Sequence, residues 1–476
     1  MAEFRDREAE REQLGRWWDD PTERRAVALY GRRRAGKSWL VRAFAHGKEA
    51  DIFVADSRTE RDQLAHFAEQ MEPALGLRPD LPDVGAFLRL LFRRAATERR
   101  LAVIDEFPFL WQVNRNLPAI LLRVLEEEAL SSRLKLVICG SHIAMMEELF
   151  AERNPLHDRA IALPVHPFDF AQALTFLGGF APEEAVERYA VAGGMARYLA
   201  AFSSPRPLGE LVVERVLGRL SPLFNEPRTV LSQELVAPHN YFSILAALST
   251  GAAAWGDVLS RSGVDADSLG KYLGTLIQLR IVEWRLPVTE TSRDARRRQY
   301  SIRDGFLRFW FRFVFPLQAE LEEGLEPAEV YESEMRPFLA AFVAPVFEEI
   351  ARAWVRRRAS RGVRRVGAWW GPATHALRRA GTRTSEEIDV VAISGRTVTL
   401  VGECRWRNDP MDVMILKELM DFKLPALAQV PGVTIAPDRR LVLFSRGGFT
   451  TGLQDAAARE GVQLVTVAEA VDGLRP

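Results

Sequence analysis

Gly31-Arg32-Arg33-Arg34-Ala35-Gly36-Lys37-Ser38 fits GxxxxGK[ST], the spacing of a loop that wraps phosphate. The N–H groups that open a helix point at anionic oxygens, and the positive end of the helix dipole favours them. Gly31 and Gly36 let the main chain approach closely. Arg32, Arg33, Arg34 and Ala35 complete the cradle, and Trp39 follows it. Lys37 is placed to reach the β and γ phosphates of a nucleoside triphosphate, and the Ser38 hydroxyl to ligate Mg2+. A second set, Leu101-Ala102-Val103-Ile104-Asp105-Glu106, reads as a buried strand ending in two carboxylates. Asp105 is expected to hold Mg2+ through water, and Glu106 to orient and deprotonate the attacking water. A chance apolar strand ending in acids would look the same; its position after the phosphate loop argues for chemistry.

These residues need elements to hold them. Over 26–165, apolar strands at Ala26–Tyr30, Asp51–Ala55, Leu101–Asp105 and Leu134–Cys139 alternate with amphipathic helices, which predicts a parallel α/β sheet. The last of these strands runs into Gly140-Ser141-His142. A polar residue at that strand end sits beside the γ-phosphate in such a fold. Ser141 is the first candidate and His142 the second, with a helix-capping turn as the alternative for both. Arg159, in Asn154-Pro155-Leu156-His157-Asp158-Arg159, is placed to contact the γ-phosphate in cis or across a subunit interface; the alternative is a surface arginine.

From about residue 167 to 239 the pattern is helical, as in a small lid. Tyr241–Ser249, Trp255–Arg261 and Asp267–Arg280 then read as helices, followed by strands Ile281–Arg285 and Gln299–Ile302 around a basic loop. That order predicts a winged helix able to contact DNA. Arg293, Arg296, Arg297 and Arg298 suit phosphate, whereas Asp265, Asp267 and Glu283 weaken the field, so a protein-packing winged helix is the alternative. Glu320–Glu326 reads as an acidic linker. A second α/β pattern follows, with helix Phe342–Arg358, strands Arg365–Trp370, Glu387–Ile393 and Thr397–Cys404, helix Met411–Leu424, and strands Leu441–Ser445 and Gln463–Val467. Asp389 and Glu403 lie in hairpin partners, and period-two alternation puts Glu403 and Arg405 on one face. With Glu348 these carboxylates form a set able to bind Mg2+ and a phosphodiester. The alternative is an edge-strand ion pair, Glu403 with Arg405, and Asp389 capping a turn. Arg405 stays protonated and cannot accept a proton, though it can stabilise developing phosphate charge.

The chain has 476 residues, enough for about three domains. It is 47% hydrophobic and 27% charged with zero formal net charge, so no global polybasic character marks a nucleic-acid binder. Lysine is scarce and arginine abundant, yet position 37 is lysine. Cys139 and Cys404 sit in apolar runs, which predicts reduced core thiols, no disulfide framework and no zinc site. The charged N-terminus and the lack of an apolar run of about 18 residues predict no membrane span and a cytoplasmic protein.

The whole chain resembles the archaeal-type ATPase family, an AAA+/STAND-like branch of P-loop proteins. Phe4-x-x-Arg7-Glu8-x-Glu10-x-x-x-Leu14 resembles its opening motif, and Tyr30 to Ser38 its arginine-rich phosphate loop. Asp105-Glu106-Phe107-Pro108 resembles its metal-binding strand end, and Gly140-Ser141 its sensor. Pro155-Leu156-His157-Asp158-Arg159 resembles P-L-Y-G-R with Asp158 in the glycine position. Gly193-Gly194-Met195-Ala196-Arg197-Tyr198-Leu199 resembles G-G-x-P-x-Y-L without its proline. Phe347-Glu348, Trp369-Trp370, Glu387-Ile388-Asp389-Val390 and Gly402-Glu403-Cys404-Arg405-Trp406 resemble a PD-(D/E)XK restriction-endonuclease-like domain, which normally has lysine where Arg405 stands. Arginine there fits drift to an inactive site as well as a tolerated substitution. The resemblance implies an α/β P-loop NTPase core with an AAA+-like parallel sheet over 1–165, a helical lid over 166–239, a winged helix over 240–318 and a nuclease-like domain over 319–476. It implies ATP and Mg2+ as cofactors; the winged-helix order and the carboxylate set make DNA the expected partner of the last two modules, and Arg159 acting across an interface would need a homo-oligomer.

Overall fold

The computed structural model describes residues 7–23, 25–128, 130–235, 237–251, 253–290, 297–359 and 362–475. The chain divides into two compact units. Unit one is Met1–Pro167 with Met195–Arg197; unit two is Phe168–Gly194 with Tyr198–Pro476.

Unit one is built on five strands: β1 (Ala26–Tyr30), β2 (Ala50–Val54), β3 (Arg100–Asp105), β4 (Leu134–Gly140) and β5 (Ala160–Pro164). Their order is β2-β3-β4-β1-β5, and every neighbouring pair is parallel. β1 and β4 are buried along their whole length, as continuous apolar runs in a sheet covered on both faces must be. Helices Glu60–Leu75, Val84–Arg94 and Leu117–Glu128 bury Phe67, Phe87, Leu91, Leu121 and Val124 in the same core as Phe53 and Ile104. β5 was not among the expected strands. Its small and proline-ended run, Ala-Ile-Ala-Leu-Pro, is only half buried, so the sequence gives it little amplitude. The opening helix, Glu8–Asp19, buries Leu14 and Trp17. Lys135 clamps its far end: the ammonium donates to the carbonyls of Trp17, Asp20 and Glu23 at 2.7, 2.7 and 2.8 Å.

Unit two begins with helices, among them Phe170–Leu177 and Pro182–Ala192. Helices His239–Ser249, Trp255–Ser262 and Ala266–Gln278 then lead into an antiparallel hairpin, β6 (Val282–Arg285) with β7 (Gln299–Ile302). Of the basic loop residues, Arg293 and Arg296 lie outside the described residues. Arg297 pairs with Glu290 and donates to the Trp370 carbonyl at 3.3 Å; Arg298 stacks over Trp284. The described arginines of the loop are thus held by the protein itself. The segment read as an acidic linker is partly helical: Gln318–Glu323 forms a helix because Leu321 finds a buried seat.

The second sheet holds β8 (Arg365–Pro372), β9 (Ser385–Ser394), β10 (Thr397–Arg405), β11 (Thr434–Ser445) and β12 (Val462–Thr466), in the order β12-β11-β10-β9-β8. β8, β9 and β10 pair antiparallel; β10, β11 and β12 pair parallel. β10 is therefore the middle strand, which corrects the edge-strand alternative for Glu403. Helix Leu339–Arg358 buries Val343, Phe347, Ile350 and Val355. Both cysteines are free and buried. Among the described residues, no helix is long and apolar enough to cross a membrane.

Candidate functional site

The loop after β1 turns into helix Lys37–Ala45 through Gly36, whose φ of 96° lies in the left-handed region that glycine adopts without cost. A Cβ on Gly31 would stand 2.2 Å from the Val165 carbonyl oxygen, so only glycine fits between β1 and the chain leaving β5. The loop is braced from two sides. Arg7 is buried; one of its guanidinium nitrogens donates to the Ala35 carbonyl at 2.9 Å and another to Glu10 at 2.9 Å. The Arg197 N–H donates to the Arg34 carbonyl at 3.4 Å. Ala35 and Arg32 are buried, whereas Arg34, Ser38 and Trp39 face solvent and Arg33 is intermediate.

The Lys37 ammonium lies under the loop and donates to the carbonyls of Gly31 and Arg32 at 2.8 and 3.0 Å. Burial lowers its pKa; Cys139, Glu106 and Asp105 act the other way. The Ser38 hydroxyl is 2.8 Å from Asp105 Oδ2, at the end of β3. These two oxygen donors, one from the loop and one from a strand end, suit a hard cation such as Mg2+.

Glu106 follows Asp105 with φ 53° and ψ 39°, a left-handed conformation that is costly for a side chain with a Cβ. It opens helix Phe107–Val113. Its carboxylate accepts the Ser141 hydroxyl at 2.8 and 3.0 Å and the Ser141 N–H at 3.2 Å. The strand order explains this meeting. β4 lies between β1 and β3, so the residue that leaves its carboxyl end stands between the phosphate loop and the acidic strand end. His142 does something else: its Nδ1 caps helix Ile143–Glu148 by accepting the Met145 N–H at 3.4 Å.

Arg159 departs from the in-cis expectation. It precedes β5, and its carbonyl accepts the Ala26 N–H at the amino end of β1. About 13 Å of strand, at roughly 3.3 Å per residue, separates that point from the phosphate loop. Its guanidinium is half exposed and 3.8 Å from Glu126. Asp158 takes the left-handed φ of 60° that the glycine of the family motif would supply.

In unit two, Glu348 projects from helix Leu339–Arg358, Asp389 from β9, and Glu403 and Arg405 from β10. Asp389 Oδ2 accepts the Cys404 N–H at 2.8 Å, so it is engaged by the neighbouring strand and not by a turn. Arg352 holds the group together from the helix: it donates to the Asp389 carbonyl at 2.7 Å and to Glu349 at 2.9 Å, and lies 3.6 Å from Glu348. Glu403 is fully buried. Lys423, from the helical segment Leu419–Lys423, donates to its Oε2 at 2.6 Å. Burial and the neighbouring Asp389 push Glu403 up to about 8 and Glu348 to about 7. Sequence reasoning missed Lys423. The signal was present, because the chain has only six lysines and this one stands in a helix following the carboxylate strand.

Residues 4–202 match a family model described as "ATPase domain predominantly from Archaea". Residues 310–418 match one described as "Archaea bacterial proteins of unknown function". An uncharacterised protein of Methanocaldococcus jannaschii is 27% identical over 393 residues, covering 80% of this chain and 83% of that protein. Among solved structures, a Walker-type ATPase of Pyrococcus abyssi is 18% identical with a TM-score of 0.46, covering 65% of this chain and 96% of that one. The ORC2 protein of Aeropyrum pernix, in ADPNP–ADP complexes, is 15% identical with a TM-score of 0.45, covering 67% and 96%. The part of the chain that carries the phosphate loop is thus similar in sequence to a predominantly archaeal ATPase domain.

Proposed function

We propose that the protein is an ATP-binding and ATP-hydrolysing switch. The observation that carries this reading is the convergence of three strand ends: Ser38 on Asp105 at 2.8 Å, and Ser141 on Glu106 at 2.8 Å. The phosphate tail rests on N–H groups that open helix Lys37–Ala45, against the Lys37 ammonium. Ser38 and Asp105 would hold Mg2+, which would supply neutralisation of phosphate charge. Glu106 takes the proton of the attacking water, and Ser141 holds its carboxylate in place. Arg159 reaches a phosphate only from a second copy of the chain.

The output modules are a helical lid over 166–239, a winged helix over 240–318 and a PD-(D/E)XK-like domain over 319–476, acting on DNA. Three helices before a hairpin, and carboxylates on paired strands, support this assignment. A second reading is a non-cleaving DNA- or protein-binding regulator, favoured by the two cations seated on Glu403. The test is ATP hydrolysis by the purified protein with and without DNA, beside ATP binding by calorimetry. Lys37→Ala is expected to abolish binding. Normal ATP uptake by a folded Lys37→Ala protein rejects the phosphate-loop assignment.

A further inference from the structure

The carboxylate group of unit two is wired differently from a metal site. Magnesium takes oxygen ligands at about 2.0–2.1 Å in near-octahedral geometry. Two carboxylates on adjacent strands and a strand carbonyl are a suitable donor set by chemistry. Here the three oxygens face one guanidinium nitrogen instead. Arg405 Nη1 lies 2.9 Å from the Cys404 carbonyl oxygen, 3.4 Å from Glu403 Oε2 and 3.6 Å from Asp389 Oδ2. Nη1 donates a hydrogen bond to the Cys404 carbonyl, and the two carboxylate oxygens lie at ion-pair distance, where the permanent charge of the guanidinium acts on both. Lys423 adds a second fixed cation on Glu403 Oε2. Among the described residues, no three or more His, Cys, Asp or Glu side chains are arranged to hold a metal ion.

Glu403 has one further oxygen. Oε1 is buried and has no hydrogen-bond partner among the described residues. Its partner oxygen, Oε2, is the one that faces both Lys423 and Arg405. The residues present do not fit a resident divalent ion.

We propose that Arg405 is the built-in cation of this site: it holds the place a divalent metal would take, and the module binds no metal and cuts no phosphodiester. The inference rests on the PD-(D/E)XK-like reading of unit two and adds to it the reason the site is silent. It also makes the site latent, because removing Arg405 takes one cation from three oxygens, leaving Lys423 on Glu403 Oε2 and the Cys404 N–H on Asp389 Oδ2.

The experiment uses nucleotide-free, full-length protein carrying Asp105→Asn to silence the phosphate-loop metal position. Mn2+ uptake is followed by loss of the free-ion electron paramagnetic resonance signal. This parent is expected to take up no Mn2+. Adding Arg405→Ala is expected to raise Mn2+ affinity by about tenfold or more, a gain erased by Asp389→Asn. Arg405→Gln, which keeps a donor for the Cys404 carbonyl, serves if the alanine variant does not fold. If the parent already takes up one Mn2+ that Asp389→Asn removes, the proposal is overturned while the nuclease-like reading stands. If Arg405→Ala and Arg405→Gln both keep the parent circular dichroism spectrum and neither gains Mn2+, the proposal and that reading fall together.

Discussion

Replacing Glu106 with glutamine tests the hydrolytic chemistry most directly. The side chain is held by the Ser141 hydroxyl at 2.8 Å and N–H at 3.2 Å, and glutamine keeps one acceptor oxygen for those contacts. What it loses is basicity. A positioned general base contributes about 10²–10⁴-fold, which is about 2.7–5.5 kcal/mol of barrier at roughly 1.36 kcal/mol per decade. Glu106→Gln should therefore slow turnover by about 10²-fold or more while ATP affinity is retained. Ser141→Ala removes a hydrogen bond to a charged group, worth about 1.5–3 kcal/mol. If all of that energy serves orientation, turnover falls between about tenfold and about 150-fold. Because Ser141 acts through Glu106, the double variant should be no slower than Glu106→Gln alone. Single-turnover hydrolysis at saturating ATP, beside equilibrium nucleotide binding, reads all three variants. A Glu106→Gln protein that hydrolyses at the parent rate would refute the role given to the carboxylate. Additive losses in the double variant would refute the role of Ser141.

Two further outcomes follow from the same geometry. Arg7→Met strips a charged donor from the buried Ala35 carbonyl, at a cost of about 1.5–3 kcal/mol; thermal denaturation should show a lower midpoint and a smaller ATP-induced rise, and an unchanged midpoint would mean the phosphate loop needs no brace. Glu403 is raised from 4.5 to about 8 in the folded protein, so the native state holds an extra proton across that window. Its contribution to stability is complete below the unfolded pKa and is lost as pH rises through the folded one. Glu403→Gln should flatten the decline of unit-two stability between those limits, followed by urea denaturation; an unaltered slope would place the excess proton elsewhere.

The sequence alone determined the parts whose chemistry is local. A glycine-framed loop, a lysine, a serine and an acidic strand end are fixed by spacing over a few residues, and Gly31, Gly36, Lys37 and Ser38 stand where the motif puts them. The long apolar runs of β1, β3 and β4 were legible for the same reason. Only tertiary structure decided which strand ends are neighbours. The order β2-β3-β4-β1-β5 delivers Ser141 to Glu106 and leaves Arg159 at the opposite end of the sheet, although nothing in the spacing separates those two cases. The same holds in unit two. Alternation placed Glu403 and Arg405 on one face, but strand order made β10 central, and a lysine twenty residues further on reached Glu403 only because a helix folded back over the sheet. Periodicity reports which face a residue takes along one element; charge partners across elements depend on how those elements pack, and that is where the cations of this carboxylate site were set.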